Sequence, residues 1–209
     1  MENERTYGFF AMTGRLRYIK RWSLMRSGDT ENVAEHSYET AVLAYALASI
    51  GNRVFHRELN ADRVASAALF HDFSEAVTGD MPTPVKYKSE EMRAVFGKVE
   101  EESRDRLLAM LPEELEGDFR PLLSLEEDDP ETYRYVRAAD KLSAYFKCLG
   151  ESENGNREFL SAKETTRRAL EELGLPEVEY FLGKFEEGYK MNLDELLRDG
   201  GTFPHPLQK

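Results

Sequence analysis

Hydrophobic positions recur at intervals of three and four residues along much of the chain. The positions that share one face between residues 33 and 50 are His36, Thr40, Leu43, Leu47 and Ile50. This spacing is typical of an amphipathic α-helix, and the following Gly51 and Asn52 favour a helix end. The pattern therefore predicts a helix over residues 33–50 that directs a histidine towards the core.

A second helical pattern begins at Asn60, a favourable N-cap residue, and extends to Gly79. The positions along its buried stripe are Val64, Ala68, His71 and Glu75. Because successive helical residues are about 100° apart, Asp72 can point into the same pocket as His71 and Glu75. We thus expect a second helix that also presents polar groups inward.

The rest of the chain reads as helices separated by polar connectors. The further helices are expected at residues 89–111, 113–125, 131–149 and 158–173, with a last helical stretch from the segment after GLPE towards Asp199. Connectors are expected at 126–130 and 150–158, and a mobile tail at 200–209. Since no alternating strand pattern or internal repeat is evident, we predict an all-α helical bundle. It should form a single domain over residues 1–209, with its core at about 12–195.

Charge and cysteine content narrow the possible partners. The 209-residue chain carries a formal charge of −12, which disfavours binding to a nucleic acid polymer, although a small anionic metabolite can still bind in a local pocket. Its one cysteine, Cys148, rules out an internal disulfide and is expected to be a small buried side chain. No signal peptide or long apolar run is evident, so we expect a soluble, cytoplasmic protein without a membrane partner.

Four polar residues at inward positions of three predicted helices suggest a metal site: His36, His71, Asp72 and Asp140. Imidazole and carboxylate ligands suit Zn, Mn, Fe, Co or Ni and can leave coordination positions open. Each residue alone has a structural explanation, since His36 could be a hydrogen-bonded core residue and Asp140 could pair with Lys141 or Arg137. A single metal site explains the inward placement of all four residues better than four unrelated structural roles.

The quoted segments RLRYIKRWSLMR, TENVAEHS, LFHDFSEAVTGDMPTPVKY and AADKLSAYFKCLGE resemble a known family. The His, His-Asp and distant Asp are similar to the HD-domain metal-dependent phosphohydrolases. The closer resemblance is to the bacterial YfbR-type 5′-deoxynucleotidases, and it covers most of residues 12–195. It implies hydrolysis of 2′-deoxyribonucleoside 5′-monophosphates to deoxynucleoside and phosphate, by attack of a metal-activated water.

The resemblance also implies roles for individual residues. The metal ligands would be His36, His71, Asp72 and Asp140, while Glu75 would orient or deprotonate the attacking water. Asp80 would be a second catalytic or substrate-positioning acid, and Arg21 and Trp22 would hold the nucleotide. The other residues expected to line the substrate are His36, Asp72, Met81, Pro82, Thr83 and Asp140.

Physical chemistry agrees with several of these roles. The planar guanidinium of Arg21 can bind two phosphate oxygens, and the indole of Trp22 can stack on a base or press against a sugar and exclude a 2′-hydroxyl. Prolines 82 and 84 can stiffen the segment that carries Asp80. Residues 73–139 contain no histidine, which favours one divalent cation per subunit, such as Co, Mn or Zn, over a binuclear site.

Other functions remain open at this stage. The same site could serve a nucleotide phosphodiesterase or triphosphohydrolase, a catalytically idle nucleotide-binding module, or, least favoured, a purely structural helical protein. A homodimer is expected from the resemblance, with the helix at 89–111 and the aromatic segment at 178–193 as the candidate interface. The sequence fixes neither the metal nor the base preference.

Overall fold

A computed structural model describes residues 5–86 and 88–198. Within these ranges the chain is helical, and its β pairing is confined to an isolated bridge between Lys20 and Asn32. The predicted all-α class is confirmed. The tail at residues 200–209, expected to be mobile, lies outside the described residues.

The α-helices of the described residues, in chain order, are α1 (Phe9–Thr13), α2 (Val33–Val54), α3 (Ala61–Phe70), α4 (Glu75–Thr78), α5 (Thr83–Lys86), α6 (Glu90–Leu108), α7 (Glu113–Leu123), α8 (Leu125–Asp128), α9 (Pro130–Glu153), α10 (Leu160–Glu172), α11 (Pro176–Phe185) and α12 (Leu193–Leu196). Short 3₁₀ turns occur at Leu16–Tyr18, Arg157–Phe159 and Glu186–Lys190.

Helix α2 begins where the sequence predicts but ends later. Its N-terminus is closed by a capping box, in which Asn32 and Glu35 each accept a hydrogen bond from the other's backbone N–H. The expected stop at Gly51 is wrong, because α2 continues to Val54. A Cβ at Gly51 would come within 3.0 Å of Leu59, so this glycine permits close packing rather than ending the helix.

The predicted helix over residues 60–79 is also corrected. Asn60 caps α3 as expected, but α3 ends at Phe70. The amide of Phe73 donates to Phe70 and that of Glu75 to Asp72, so the chain tightens to 3₁₀-like turns in which residues three apart lie above one another. Asp72 and Glu75 are such a pair, and the bend lets Phe73 pack into a second apolar cluster.

Boundaries elsewhere differ from the prediction in smaller ways. Helix α6 ends at Leu108 rather than Leu111 through tight turns, and α7 ends at Leu123 rather than at residue 125. The expected connector at 126–130 contains α8 and the N-cap of α9, and the connector at 150–158 is shortened because α9 continues to Glu153. The last helical stretch is divided into α11, a 3₁₀ turn and α12.

The main core lies where α2, α3 and α9 pack against one another, with α10 and α11 outside them. Alanines at this contact are fully buried, namely Ala44, Ala48, Ala67, Ala68, Ala138 and Ala139. Because helix separation depends on side-chain size at the contact, these small residues let three helices approach closely. The helices can therefore bring polar groups from distant parts of the sequence to one point.

A second apolar cluster joins α1, α6 and α7 to Phe73 and to Val33 at the start of α2. Edge-to-face contacts between Phe9, Phe73 and Phe119 fill it. Cys148 is buried and unpaired, as predicted. Across the described ranges no helix combines the length and the apolar character needed to cross a membrane.

Candidate active site

The structure brings the four predicted metal ligands together. His36 comes from α2, His71 and Asp72 from the turn after α3, and Asp140 from α9. The His36 Nε2 atom lies 3.2 Å from Asp140 Oδ1 and 3.6 Å from Asp72 Oδ2, and His71 Nε2 lies 3.1 Å from Asp72 Oδ2. Potential ligand atoms of His36, His71 and Asp72 all lie within 4.8 Å of one another. Asp140 lies next to this group because its Oδ1 contacts His36 Nε2.

Hydrogen bonds orient both imidazoles for metal binding. The Nδ1–H of His71 donates to the carbonyl of Ala68 at 2.8 Å. Ser143 donates to Glu39, so its Oγ is available to accept a hydrogen bond from His36 Nδ1 at 3.0 Å. In the neutral tautomers that these bonds select, both Nε2 lone pairs face the carboxylates.

The His71 Nε2 atom is buried and makes no well-aligned hydrogen bond with a described residue, although Asp72 Oδ2 lies 3.1 Å away. A buried polar atom without a partner is costly, and a cation at this point would satisfy it. The imidazole and carboxylate donors are also of the type that divalent transition metals accept. The residues therefore fit a bound divalent cation.

Charge in this cluster is predominantly negative. Burial opposes ionisation of Asp72, but His71, His36 and Arg21 outweigh it and lower its pKa. The pKa of Asp140 is also held well below its ordinary value, because Lys141 and His36 outweigh burial, and Lys141 Nζ lies 3.0 Å from Asp140 Oδ2. The expected alternative pairing of Asp140 with Lys141 is thus present together with its contact to His36.

The pKa values of the two histidines are shifted in opposite directions. Burial and the positive charge of Arg21 lower the pKa of His36. Burial also disfavours charge on His71, but Asp72 outweighs it and raises the pKa of His71. Metal binding requires both rings to be neutral, so cation binding and proton loss from His71 are coupled.

Glu75 lies beside Asp72 at the edge of the cluster. Burial, together with the charges of Asp72 and Asp80, raises its pKa to about 9. Its Oε2 has no hydrogen-bond partner among the described residues. The carboxyl lines a cavity of about 20 Å³, which has room for one water molecule. Glu75 is therefore positioned to exchange a proton with a small ligand.

Asp80 follows the sharp bend at Gly79, whose φ of 73° favours glycine. It is partly buried, and burial raises its pKa against the opposing charge of Arg21. Asp80 is thus close enough to the cluster to sense its charges. Met81 lines the same small cavity as Glu75.

Pro82 and Thr83 stand further along this segment. The Pro82 carbonyl accepts hydrogen bonds from the amides of Val85 and Lys86, which closes the short helix α5. Thr83 is exposed within that helix. The structure therefore places Asp80 and Met81 beside the cluster, while Pro82 and Thr83 form its outer continuation.

Arg21 contacts the cluster directly, and Trp22 follows it in the chain. The Arg21 Nη1 atom donates to Asp72 Oδ2 at 3.2 Å. Burial disfavours its charge, but Asp72, Asp140 and Glu31 outweigh burial and raise the pKa of Arg21. Trp22 has a φ of 58° and its indole packs 5.4 Å from the ring of Phe159. This left-handed backbone is rare for a bulky residue and is found mainly at constrained functional positions.

Residues 22–31 form an irregular loop that is anchored to α9 through Glu151. The buried Glu151 carboxylate accepts hydrogen bonds from the amides of Gly28 and Asp29, from Lys147 Nζ and from Asn156 Nδ2. These four donors lower the pKa of Glu151 to about 2 despite its burial. The loop that carries Trp22 is therefore held at a defined distance from α9.

Sequence reasoning missed the residues that support the site. Glu31 stands inside the quoted TENVAEHS segment, and Ser143 lies one turn after Asp140 on the buried face of α9. Their positions beside candidate ligands were available signals. Glu151 ends the quoted AADKLSAYFKCLGE segment, and Lys147 lies one turn before it, but its contacts with Gly28 and Asp29 join positions more than a hundred residues apart and could not be predicted from local pattern.

A larger groove of about 340 Å³ lies on α10. Tyr145, Lys163 and Arg167 are among its lining residues, and none of the lining residues belongs to the histidine and aspartate cluster. Arg167 is engaged by Glu179 through two hydrogen bonds. This open surface groove lacks the histidine and aspartate side chains of the buried cluster. We therefore place the candidate active site at the cluster and not in the larger groove.

A family model described as 5′-deoxynucleotidase YfbR-like matches residues 8–189. A 5′-deoxynucleotidase of Vibrio vulnificus strain YJ016 is 45% identical over 188 residues, which cover 90% of this chain and 97% of the relative.

Solved structures give a similar result. An HD-domain phosphohydrolase from Listeria innocua has a TM-score of 0.76 and 26% identity, with 87% of each chain covered. The HD phosphohydrolase of cyanophage S-2L, bound to dA and one catalytic Zn²⁺ ion, has a TM-score of 0.61 and 19% identity, over 86% of this chain and 95% of that one. At this lower identity the likeness shows the fold alone.

Proposed function

The chain belongs to the family of YfbR-like 5′-deoxynucleotidases and is an HD-type hydrolase, and we propose that it releases phosphate from 2′-deoxyribonucleoside 5′-monophosphates. The products are the deoxynucleoside and inorganic phosphate. This family membership was predicted from the quoted segments and is confirmed.

His36, His71, Asp72 and Asp140 would hold one divalent cation. The convergence of two Nε2 lone pairs and two carboxylates beside a buried arginine is the observation that supports this role most directly. When bound, such a cation acidifies a coordinated water and offsets the charge on phosphate oxygens. Zn, Mn and Co all suit these ligands.

Arg21 and Glu75 would act on opposite sides of the reacting phosphate. The guanidinium of Arg21 stays charged and can donate two parallel hydrogen bonds to phosphate oxygens. Glu75 would accept the proton of the attacking water, since its carboxyl faces a water-sized cavity and lies next to Asp72. The charge of a bound cation would lower the raised pKa of Glu75 and make its base form available near neutral pH.

Asp80 and Trp22 would position the substrate. Asp80 would orient a phosphate or sugar oxygen, with Met81, Pro82 and Thr83 completing the outer wall of the site. The metal-binding side chains His36, Asp72 and Asp140 would also contact the substrate. Trp22 would press its indole against the sugar and leave no space for a 2′-hydroxyl.

The function is tested by measuring phosphate release from matched deoxyribo- and ribonucleoside 5′-monophosphates. The protein is first stripped of metal and then supplied with Mn, Co, Zn or Mg separately. We expect release from the deoxy series with one or more of these ions and little release without them.

Release from both series would retain the phosphatase function but refute the sugar selectivity. Release from nucleotide diesters or triphosphates alone would replace the proposal by a phosphodiesterase or triphosphohydrolase. Binding of nucleotide without phosphate release in the presence of any of these ions would indicate a catalytically inactive nucleotide-binding module.

We propose that the protein forms a homodimer through α2, the end of α11 and the turn that follows it. Tyr38, Val42 and Tyr45 recur along one face of α2 and are 66%, 53% and 48% exposed, and Phe185 and Tyr189 are also exposed. An apolar stripe of this kind is typical of an interface. The sequence also predicted helix α6 as part of the interface. In the structure α6 packs against α1, α4, α5 and α7.

Light scattering after gel filtration tests this interface. We expect Val42→Asp to convert a dimer to a monomer, whereas Val95→Asp on the exposed face of α6 should leave the dimer intact. The opposite result would move the interface to α6, and a monomeric parent protein would exclude the dimer.

We further propose a cytoplasmic location and one domain spanning about residues 12–195. The chain has one cysteine and therefore no internal disulfide, which is usual for proteins of a reducing compartment. Helix α2 contributes Val33 to one apolar cluster and Leu47 to the other, which supports a single folding unit.

A further inference from the structure

Glu31 contacts three side chains of the candidate site. Its Oε2 accepts a hydrogen bond from Trp22 Nε1 at 2.6 Å and lies 3.4 Å from Arg21 Nε. Its Oε1 lies 3.7 Å from His36 Nδ1. The Glu31 side chain is only 10% exposed. One largely buried carboxylate therefore links Arg21, proposed to bind phosphate, with Trp22, proposed to face the sugar.

The backbone fixes Glu31 in this place. The amide of Arg21 donates to the Glu31 carbonyl at 3.0 Å, and the amide of Val33 donates to Ile19. These bonds flank the bridge between Lys20 and Asn32. Glu31 is thus paired with Arg21 across the base of the loop, immediately before the capped start of α2.

Trp22 has a left-handed backbone, and its indole is held by two contacts. Phe159 contacts one part of the indole, but ring packing alone leaves the ring free to slide and rotate. The bond from Nε1 to Glu31 determines the direction of the ring edge. A charged acceptor strengthens this bond and makes its direction more specific.

We infer that Glu31 is a positioning residue that sets the sugar selectivity of the site by holding the Trp22 indole and the Arg21 guanidinium in one arrangement. The inference rests on the proposed function, since it assigns selectivity to the sugar-facing indole. Discrimination against one hydroxyl requires a wall whose position does not adjust. If Trp22 could rotate, the site would make space for a ribose.

Trp22 is the one tryptophan of the sequence, so its fluorescence reports directly on this contact. We would compare the parent protein with Glu31→Ala, Glu31→Gln and the exposed-residue control Glu58→Gln, each loaded with the same metal. The measurements are the emission maximum after excitation at 295 nm, quenching by acrylamide and metal content. Glu31→Ala should shift the emission and increase quenching, and Glu31→Gln should change both less because its amide oxygen still accepts from the indole.

Selectivity is then measured as the ratio of kcat/KM for dAMP to that for AMP. We expect this ratio to fall by about tenfold in Glu31→Ala, the effect of losing one orienting hydrogen bond to a charged group. Glu31→Gln should lie between Glu31→Ala and the parent, and Glu58→Gln should equal the parent. Metal content should be unchanged, because Ser143 still accepts from His36.

Unchanged fluorescence in Glu31→Ala would overturn the positioning of Trp22 by Glu31. A changed fluorescence with an unchanged dAMP to AMP ratio would overturn the role in selectivity. If the parent releases no phosphate, the proposed function fails, and dissociation constants for dAMP and AMP from fluorescence titration then replace kcat/KM. A tenfold fall in that binding ratio would support the inference, whereas an equal ratio in parent and variant would overturn it.

Discussion

Removal of the Glu151 charge should destabilise the protein in a pH-dependent way. The relevant variant is Glu151→Gln, which keeps the size of the side chain but removes the negative charge that receives four donors. Folding lowers the Glu151 pKa from 4.5 to about 2. This difference corresponds to about 3 kcal/mol of stability at pH 7, and solvent screening at the loop edge reduces it towards about 2 kcal/mol.

The pH dependence has a definite direction. Because the folded-state pKa lies below the unfolded-state value, the carboxylate contributes its full stability above about pH 4.5 and loses it as the pH falls towards 2. The difference in unfolding free energy between parent and Glu151→Gln should therefore be about 1 kcal/mol smaller at pH 3.5 than at pH 7.

Urea unfolding followed by circular dichroism at both pH values measures this difference. The control is Glu153→Gln, which changes an exposed residue on the same helix and should alter stability by less than about 0.5 kcal/mol. An equal loss of stability at both pH values, or no loss at pH 7, would refute an electrostatic anchor at Glu151. Because Glu151 holds the loop that carries Trp22, the variant should also increase the quenching of tryptophan fluorescence.

Three further predictions concern the site. Glu75→Gln should retain metal and nucleotide but lose at least about 100-fold in turnover, whereas Asp140→Asn should lose metal; equal metal loss in both, measured by elemental analysis, would show that Glu75 is a ligand. Metal removal should lower the thermal unfolding midpoint, and adding the ion back at 100 times its dissociation constant should restore about 2.7 kcal/mol of stability. An unfolding midpoint that does not change with added metal would show that the folded protein binds no ion at the cluster. Gly79→Ala should cost about 1–3 kcal/mol because its φ of 73° is strained for other residues, although no atom lies within 4 Å of the added Cβ. Wild-type stability in a denaturation assay would contradict that account of the bend before Asp80.

Local pattern was sufficient for the helical class and for the start of most helices. Asn32, Asn60 and Ser89 are side-chain caps that satisfy exposed amides at a helix start, and a cap acts through neighbours within three residues. Helix ends were predicted less well. Gly51 packs against Leu59 and does not end α2, and the end of α3 depends on Phe73 entering a different cluster.

The candidate ligands were also predicted from sequence, because histidine and aspartate at inward positions of helices are unusual and matched a known family's order of segments. Their mutual distances could not be predicted from helical spacing, since the turn after Phe70 is not a continuation of α3.

By itself, the sequence determined the helical periodicity, the caps, the negative charge and the residue types that bind a divalent cation. These properties depend on neighbours along the chain or on side-chain chemistry. Only the tertiary structure decided that Ser143 orients His36, that Glu31 joins Arg21 to Trp22, and that Glu151 anchors the loop. Ser143 and His36 are more than a hundred positions apart, as are Glu151 and the loop amides of Gly28 and Asp29, and the partners of Glu31 meet across a loop. Such contacts follow from the packing of α2 against α9 and from the path of that loop, not from local pattern.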